Sequence, residues 1–162
     1  SSRDYTYTSL LASKTMQDLP HHYRVTATGE GAANVIVSAK GIPDLETAGP
    51  PEFGGPGDVW SPETMLVGAV ANCFILTFRA IARTAKLDWT SLTCDTEGEL
   101  DKVEKVTQFT GFKVTATLTI PADGNEKKAH AILEKAEKYC LITNSMKANS
   151  HLEAHVEFLS NE

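Results

Sequence analysis

Residues 61–78 read SPETMLVGAVANCFILTF, an apolar run that begins with three helix-start signals. Ser61 can cap a helix, Pro62 fits the first helical position, and Glu63 would meet the positive end of the helix dipole. The predicted helix extends to about Ala85. Because it is apolar on nearly every face, we expect it to be a central helix that other parts of the fold surround.

Strand-like and helix-like segments lie on both sides of this run. The patterns predict strands over Asp4–Ser13, His22–Thr28, Ala33–Ala39, Trp89–Glu104, Thr107–Ile120 and His151–Leu159, and an amphipathic helix over Asn125–Cys140. Residues 41–61 hold four of the seven prolines and five of the eleven glycines, which predicts a long functional or mobile loop. The order of elements indicates an α+β fold, with antiparallel or mixed sheets around a buried central helix.

Length and composition favour one globular domain over residues 1–162, with residues 1–19 as a peripheral N-terminal extension or an edge strand. The net charge of −6 argues against a nucleic-acid partner, because phosphates attract basic surfaces. The apolar run from Met65 to Phe78 is shorter than the ~20 residues that a membrane span needs. Three cysteines do not form a disulfide scaffold, and at least one stays unpaired, which fits a reducing cytoplasm.

Thiol chemistry is the one reaction for which the sequence shows candidate groups. Cys73 lies within the central helix and Cys140 at the end of the second predicted helix. Each is either a small core residue or, if the two meet in space, half of a redox pair. A reactive Cys73 would need its pKa lowered by a group from another element, because a mid-helix position gains nothing from its own dipole. Cys94, in a predicted strand, is interpreted as structural or inert.

Other chemistries find little support. The adjacent residues His21 and His22 would point to opposite faces of a strand, so we predict no metal site there. The glycine-rich stretch FGGPG lacks the features of a phosphate loop, and the sequence has no G-x-S-x-G motif of a serine hydrolase. We therefore expect no metal and no cofactor.

Two segments together resemble the OsmC/Ohr family of osmotically induced and organic hydroperoxide resistance proteins. GGPGDVWSPETMLVGAVANCF, residues 54–74, is similar to the first-cysteine segment, in which a glycine-rich loop leads to N-P-E and then to A-C-F. EKAEKYCLITNSMKA, residues 134–148, resembles the second-cysteine segment, C-P-x-S-N/R, with Leu141 in place of the proline. The order of elements agrees over about residues 20–159.

The resemblance implies an intertwined α+β homodimer that reduces organic hydroperoxides by a thiol mechanism, without metal or haem, in defence against oxidative stress. It implies that Cys73 is the peroxidatic residue, that Cys140 resolves it, and that Glu63 pairs with an arginine that holds the thiolate. The reductant would be a lipoylated protein or another dithiol. The alternative on the same fold is a catalytically weak module that binds a small hydrophobic ligand.

The sequence departs from the family pattern at the arginine. The family places it just after an early T-A-T-G-G turn, and the matching residues 26–32, TATGEGA, hold none. Arg24 is the first candidate to replace it, and Arg79 and Arg83 are alternatives. Without such a cation, we expect the Cys73 thiol to keep a pKa of ~8.5, or a higher pKa if it is buried.

Glu63 and Cys73 are ten positions apart, about 15 Å along one helix, so a shared site would need a second subunit or a folded-back loop. We expect a substrate pocket beside the Gly/Pro loop. Its candidate apolar walls are Phe53, Trp60 and Phe74.

Overall fold

The structure is a computed structural model that describes residues 16–160. The predicted strand Asp4–Ser13, and with it most of the predicted N-terminal extension over residues 1–19, lies outside the described residues. The described chain forms two compact units, one up to Thr47 and one from Ala48 onward.

The first unit is a small antiparallel sheet with the strand order β1-β2-β3. Its strands are β1 (Thr26–Thr28), β2 (Val35–Ser38) and β3 (Leu45–Thr47). The first two are shorter than predicted. The prediction that residues 41–61 form one long loop is wrong at β3, which pairs with β2 through the register Val37–Leu45.

The second unit contains the helices and the longer strands. A 3-10 turn at Pro51–Phe53 precedes α1 (Pro62–Thr84), and α2 (Glu126–Tyr139) is followed directly by the short helix α3 (Leu141–Asn144). The strands are β4 (Ser91–Val103), β5 (Val106–Ile120) and β6 (Asn149–Phe158). The predicted start of α1 is confirmed, because the Ser61 side chain accepts a hydrogen bond from the Thr64 amide at 3.1 Å.

The sheet of the second unit has the order β4-β5-β6 and is mixed. Strands β4 and β5 form a hairpin closed by Glu104 and Lys105, both in the left-handed region with φ of 50° and 68°. Strand β6 pairs parallel to β5, and the segment between them is the α2–α3 crossover. The predicted α+β fold with antiparallel and mixed sheets is therefore confirmed.

Helix α1 packs one face against this sheet and against α2. Its fully buried residues recur once per turn, at Val70, Phe74, Phe78 and Ala82. They join a core that includes the inward-facing residues of β5 and the apolar stripe of α2, namely Phe112, Val114, Ala116, Leu118, Ile120, Ala129, Ile132, Leu133 and Ala136. Within the single chain the opposite face of α1 stays partly open, and Leu76 is 51% exposed.

The whole of α1 is longer than the apolar run on which the prediction of no membrane span was based. It has 23 residues, and its most apolar 18-residue window has a mean hydropathy of 1.8, which is long and apolar enough to cross a membrane by length and composition. Core helices of globular domains meet the same criterion. One face of α1 is buried against the sheet and α2. The apolar residues on that face therefore have a structural role in the core.

Candidate functional site

The fold places the thiols of Cys73 and Cys140 close enough for each to shift the pKa of the other. Cys73 lies midway along α1 and is partly exposed, whereas Cys140 stands at the junction of α2 and α3 and is 1% exposed. The two cysteines are free thiols. This is the geometry that a nucleophilic and a resolving cysteine would need.

The backbone at Cys140 shapes this site. Cys140 is extended, with φ of −64° and ψ of 108°, and it ends α2 while capping α3. Its carbonyl accepts hydrogen bonds from the Asn144 amide at 3.0 Å and from the Thr143 hydroxyl at 3.1 Å. The sharp change of direction leaves the amides of Leu141 and Ile142 free to donate to the Cys73 sulfur.

The pKa of Cys73 is lowered. Burial acts to raise it, but hydrogen bonds from the Ile142 amide, the Cys140 thiol, the Thr77 hydroxyl and the Leu141 amide together outweigh burial. The Thr77 oxygen lies 3.7 Å from the Cys73 sulfur. Hydrogen-bond donors therefore stabilise the thiolate where the family resemblance would place an arginine.

The pKa values of the other two cysteines are raised. Burial raises the pKa of Cys140, and the hydrogen bond to Cys73 and the charge of that thiolate raise it further, against two opposing bonds from Thr143. Burial also raises the pKa of Cys94, whose sulfur lies 3.7 Å from the Thr96 hydroxyl. Of the three thiols, Cys73 ionises first, and Cys140 remains a thiol beside it.

A second group of candidate residues lines a separate cavity of about 620 Å³ at the start of α1. Phe53, Trp60 and Glu63 line it. Phe53 and Trp60 are two of the three residues that the sequence analysis named as candidate apolar walls. Phe74 does not line it: it lies further along the same side of α1, where it is buried in the core. Cys73 and Cys140 are absent from the described residues that line this cavity, so within one chain Glu63 and the thiol pair belong to different places.

Glu63 has no cation beside it in the part of the chain that the structure describes. Its Oε2 atom is buried and has no hydrogen-bond partner among residues 16–160. The ion pairs of these residues join Lys113 to Glu153, His130 to Glu126 and His155 to Glu153, and none includes an arginine. Arg24 instead borders a surface depression on the first unit. Residues 16–160 contain no group of three or more metal-ligating side chains.

Sequence reasoning missed four contributors to these sites. Thr77 follows Cys73 by four positions, so helical spacing could have placed the two side chains on one face. The amides of Leu141 and Ile142 left no signal, because every non-proline residue carries an N–H group. Cys94 does line the cavity, and its alternation with the exposed residues of β4 could have placed it on the inner face of the sheet.

Comparison with known proteins gives consistent matches. The family model described as OsmC-like protein matches residues 55–155. The chain is 27% identical to the uncharacterized protein YmaD of Bacillus subtilis, over 82% of this chain and 91% of that protein. It is 29% identical to a protein of Xanthomonas axonopodis pv. citri named organic hydroperoxide resistance protein, over 76% and 85%. An OsmC-like protein of unknown function from Vibrio cholerae superposes with a TM-score of 0.78 at 17% identity, over 83% and 99%.

Proposed function

Because the chain belongs to the OsmC-like family, we propose that it reduces organic hydroperoxides through the Cys73–Cys140 thiol pair, in defence against oxidative stress. The observation that carries this proposal is the proximity of two free thiols, in which the pKa of Cys73 is lowered and that of Cys140 is raised. The name of the Xanthomonas relative supports a role in resistance to organic hydroperoxides.

In the first step, the Cys73 thiolate attacks the terminal oxygen of the hydroperoxide. A sulfur–oxygen bond forms and the oxygen–oxygen bond breaks, which oxidises Cys73 to a sulfenic acid and releases an alkoxide. The peroxide proton stays on the sulfenic oxygen, and the alkoxide takes a proton from water to become the alcohol. The donors to this sulfur, from Leu141, Ile142 and Thr77, favour the thiolate form that makes the attack.

In the second step, Cys140 resolves the sulfenic acid. Its sulfur attacks the Cys73 sulfur, a disulfide forms, and the hydroxyl leaves as water with the Cys140 proton. A dithiol reductant, such as a lipoylated protein, would then return both cysteines to thiols by disulfide exchange. Because this recycling needs a supply of reduced dithiol, we propose a reducing, cytoplasmic location.

The test is turnover of cumene or linoleic acid hydroperoxide with dihydrolipoamide as the reductant. We expect Cys73→Ser to abolish turnover. Cys140→Ser should abolish recycling and let Cys73 overoxidise to sulfinic acid, because nothing then resolves the sulfenic acid. Cys94→Ser is the matched control and should retain turnover, since the raised pKa of Cys94 keeps this thiol protonated.

Peptide mapping after mild peroxide treatment identifies the bond directly. The proposal requires a disulfide between Cys73 and Cys140, with Cys94 left as a free thiol. A bridge that contains Cys94, or the absence of any bridge while peroxide is consumed, would contradict the resolving role of Cys140.

A second candidate function is a module that binds a small hydrophobic ligand without turnover. The observation that favours it is the cavity lined by Phe53 and Trp60, because Cys73 and Cys140 are absent from its described lining. Saturable binding of an apolar compound by a protein that consumes no hydroperoxide would support this candidate over the first.

A further inference from the structure

Thr77 presents its hydroxyl to the reacting sulfur of Cys73. The two residues are four positions apart on α1, and the Thr77 oxygen lies 3.7 Å from the Cys73 sulfur. Because side chains of a helix lean towards its N-terminus, the Thr77 hydroxyl lies over the turn that carries Cys73. Both residues are partly exposed. A hydroperoxide in contact with this sulfur would therefore also lie close to the Thr77 hydroxyl.

A second threonine of the same helix makes a different contact. The Thr84 hydroxyl donates to the carbonyl oxygen of Ala80, four residues earlier, at 3.3 Å, which is a common arrangement for threonine within a helix. The hydroxyl of Thr77 instead contacts the sulfur of the residue four positions earlier. That sulfur loses its negative charge when it is oxidised, whereas a carbonyl oxygen stays as it is. The Thr77 hydroxyl is therefore released from its partner during the reaction itself.

The first step of the proposed reaction releases an alkoxide, which is a strong base and leaves more easily when a group nearby gives it a proton. The groups that act to lower the pKa of Cys73 are the amides of Ile142 and Leu141, the Cys140 thiol and the Thr77 hydroxyl. A backbone amide does not give up its proton. The Cys140 thiol is 1% exposed and retains its proton for the second step. The Thr77 hydroxyl remains, and a hydroxyl can both donate a proton and accept one.

We propose that Thr77 is a further catalytic residue, whose hydroxyl protonates the alkoxide that leaves when Cys73 attacks the hydroperoxide. As the sulfur–oxygen bond forms and the oxygen–oxygen bond breaks, the hydroxyl turns from the sulfur to the leaving oxygen. It gives that oxygen its proton and takes another from water. The products are the sulfenic acid, the alcohol and a hydroxide ion that carries the former charge of the thiolate. The inference rests on the proposed hydroperoxide reduction and adds the path of the proton.

The experiment compares three reagents that react with the same sulfur and release different leaving groups. Iodoacetamide releases iodide, perbenzoic acid releases benzoate, and cumene hydroperoxide releases an alkoxide. Of these three, the alkoxide alone is basic enough to need a proton as it leaves. Each reagent is added at neutral pH without a reductant, and the rate at which the Cys73 peptide loses its free thiol is followed by mass spectrometry.

Thr77→Val keeps the branched shape of the side chain and removes the hydroxyl. It should slow the reaction with cumene hydroperoxide by at least about tenfold more than the other two reactions, because general acid catalysis is lost for that leaving group alone. Thr77→Ser keeps a hydroxyl and should restore most of the rate. Thr84→Val is the matched control: it removes an exposed hydroxyl of the same helix and should change none of the three rates. Circular dichroism and thermal unfolding establish that the variants are folded.

The outcomes separate this inference from the function on which it rests. Equal slowing of all three reactions in Thr77→Val would overturn the inference, because Thr77 would then act on the thiolate alone, and unchanged rates would overturn it as well. Equal slowing with perbenzoic acid and cumene hydroperoxide would mean that Thr77 binds the peroxide group without protonating the leaving oxygen. If iodoacetamide alkylates Cys73 in the unaltered protein but cumene hydroperoxide does not consume its thiol, the proposed function fails and the inference fails with it.

Discussion

Leu141 occupies the position at which the family's second-cysteine segment has proline, and the chemical difference is one N–H group. Proline has no amide hydrogen, whereas the Leu141 amide donates to Cys73 and helps to lower its pKa. The same chain lacks arginine after its early Thr26–Thr28 strand. The Leu141 amide therefore provides part of the thiolate stabilisation that the family resemblance assigns to a cation.

Leu141→Pro tests this role with little risk to the fold. The position is the first of α3, where proline is favoured, and Cys140 before it is already extended. Loss of the amide donor should raise the pKa of Cys73. The midpoint of iodoacetamide alkylation against pH should move upward, and alkylation below that midpoint should slow by at least about threefold, because a donor to a charged group is lost.

Leu141→Ala is the control, since it removes the same exposed side chain but keeps the amide. Its alkylation curve should coincide with that of the unaltered protein. If alanine slows alkylation as much as proline does, the effect comes from side-chain packing and not from the hydrogen bond. If proline leaves the curve in place, the Leu141 amide has no part in stabilising the thiolate.

The residue patterns identified the two candidate cysteines, but they did not identify the hydrogen-bond donors around Cys73. Cys73 and Cys140 were candidates because each lies in a helical run that a fold can bring together. The donors around Cys73 are mostly backbone amides, whose position depends on the change of direction at Cys140. No residue type marks that geometry, so the lowered pKa could not be predicted.

Strand β4 approaches α1 closely at Gly98, and this contact shapes the cavity wall. A Cβ atom at Gly98 would lie 2.8 Å from Val67 Cγ2, 2.9 Å from Phe109 Cε1 and 3.0 Å from Phe112 Cε1. The two phenylalanine rings stack with centroids 5.3 Å apart. A side chain at this point would push against both the helix and the stacked rings.

Gly98→Ala should therefore destabilise the protein, by about 1–3 kcal/mol as is usual for overpacking. Urea unfolding followed by circular dichroism measures the free energy. Gly111→Ala on β5 is the control, because its Cβ would meet only the Asn149 carbonyl oxygen at 3.8 Å. We expect that variant to change the free energy of unfolding by less than about 0.5 kcal/mol. Equal effects at Gly98 and Gly111 would exclude the steric explanation.

At the scale of elements, long periodic segments were predictable and short or unusual ones were not. Helix α1 and strands β5 and β6 followed from their apolar patterns. Strand β3 was missed because three residues within a Pro/Gly-rich stretch carry no clear period. The hairpin of β4 and β5 turns at Glu104 and Lys105, which both adopt positive φ without the Asn-Gly signal that usually marks such a turn.

The single chain leaves one face of α1 partly uncovered, which bears on the assembly of the whole molecule. The sheet and α2 bury one residue per turn, from Val70 to Ala82, while Leu76 on the other side is half exposed. A helix that is apolar around most of its circumference is stable in water when both faces are covered. Glu63 and Cys73 also lie at separate places in one chain, so a shared site would need a second copy.

We therefore predict a homodimer in which the open face of α1 lies in the interface. Sedimentation velocity of the unaltered protein at micromolar concentration should give the mass of a dimer. Leu76→Glu should shift the protein to monomer or prevent its folding, because it would bury a charge in that interface. Val106→Glu, at an equally exposed position beside the β4–β5 turn, should leave the dimer intact. A compact monomer in the unaltered protein, or dissociation caused by both variants alike, would contradict an interface centred on α1.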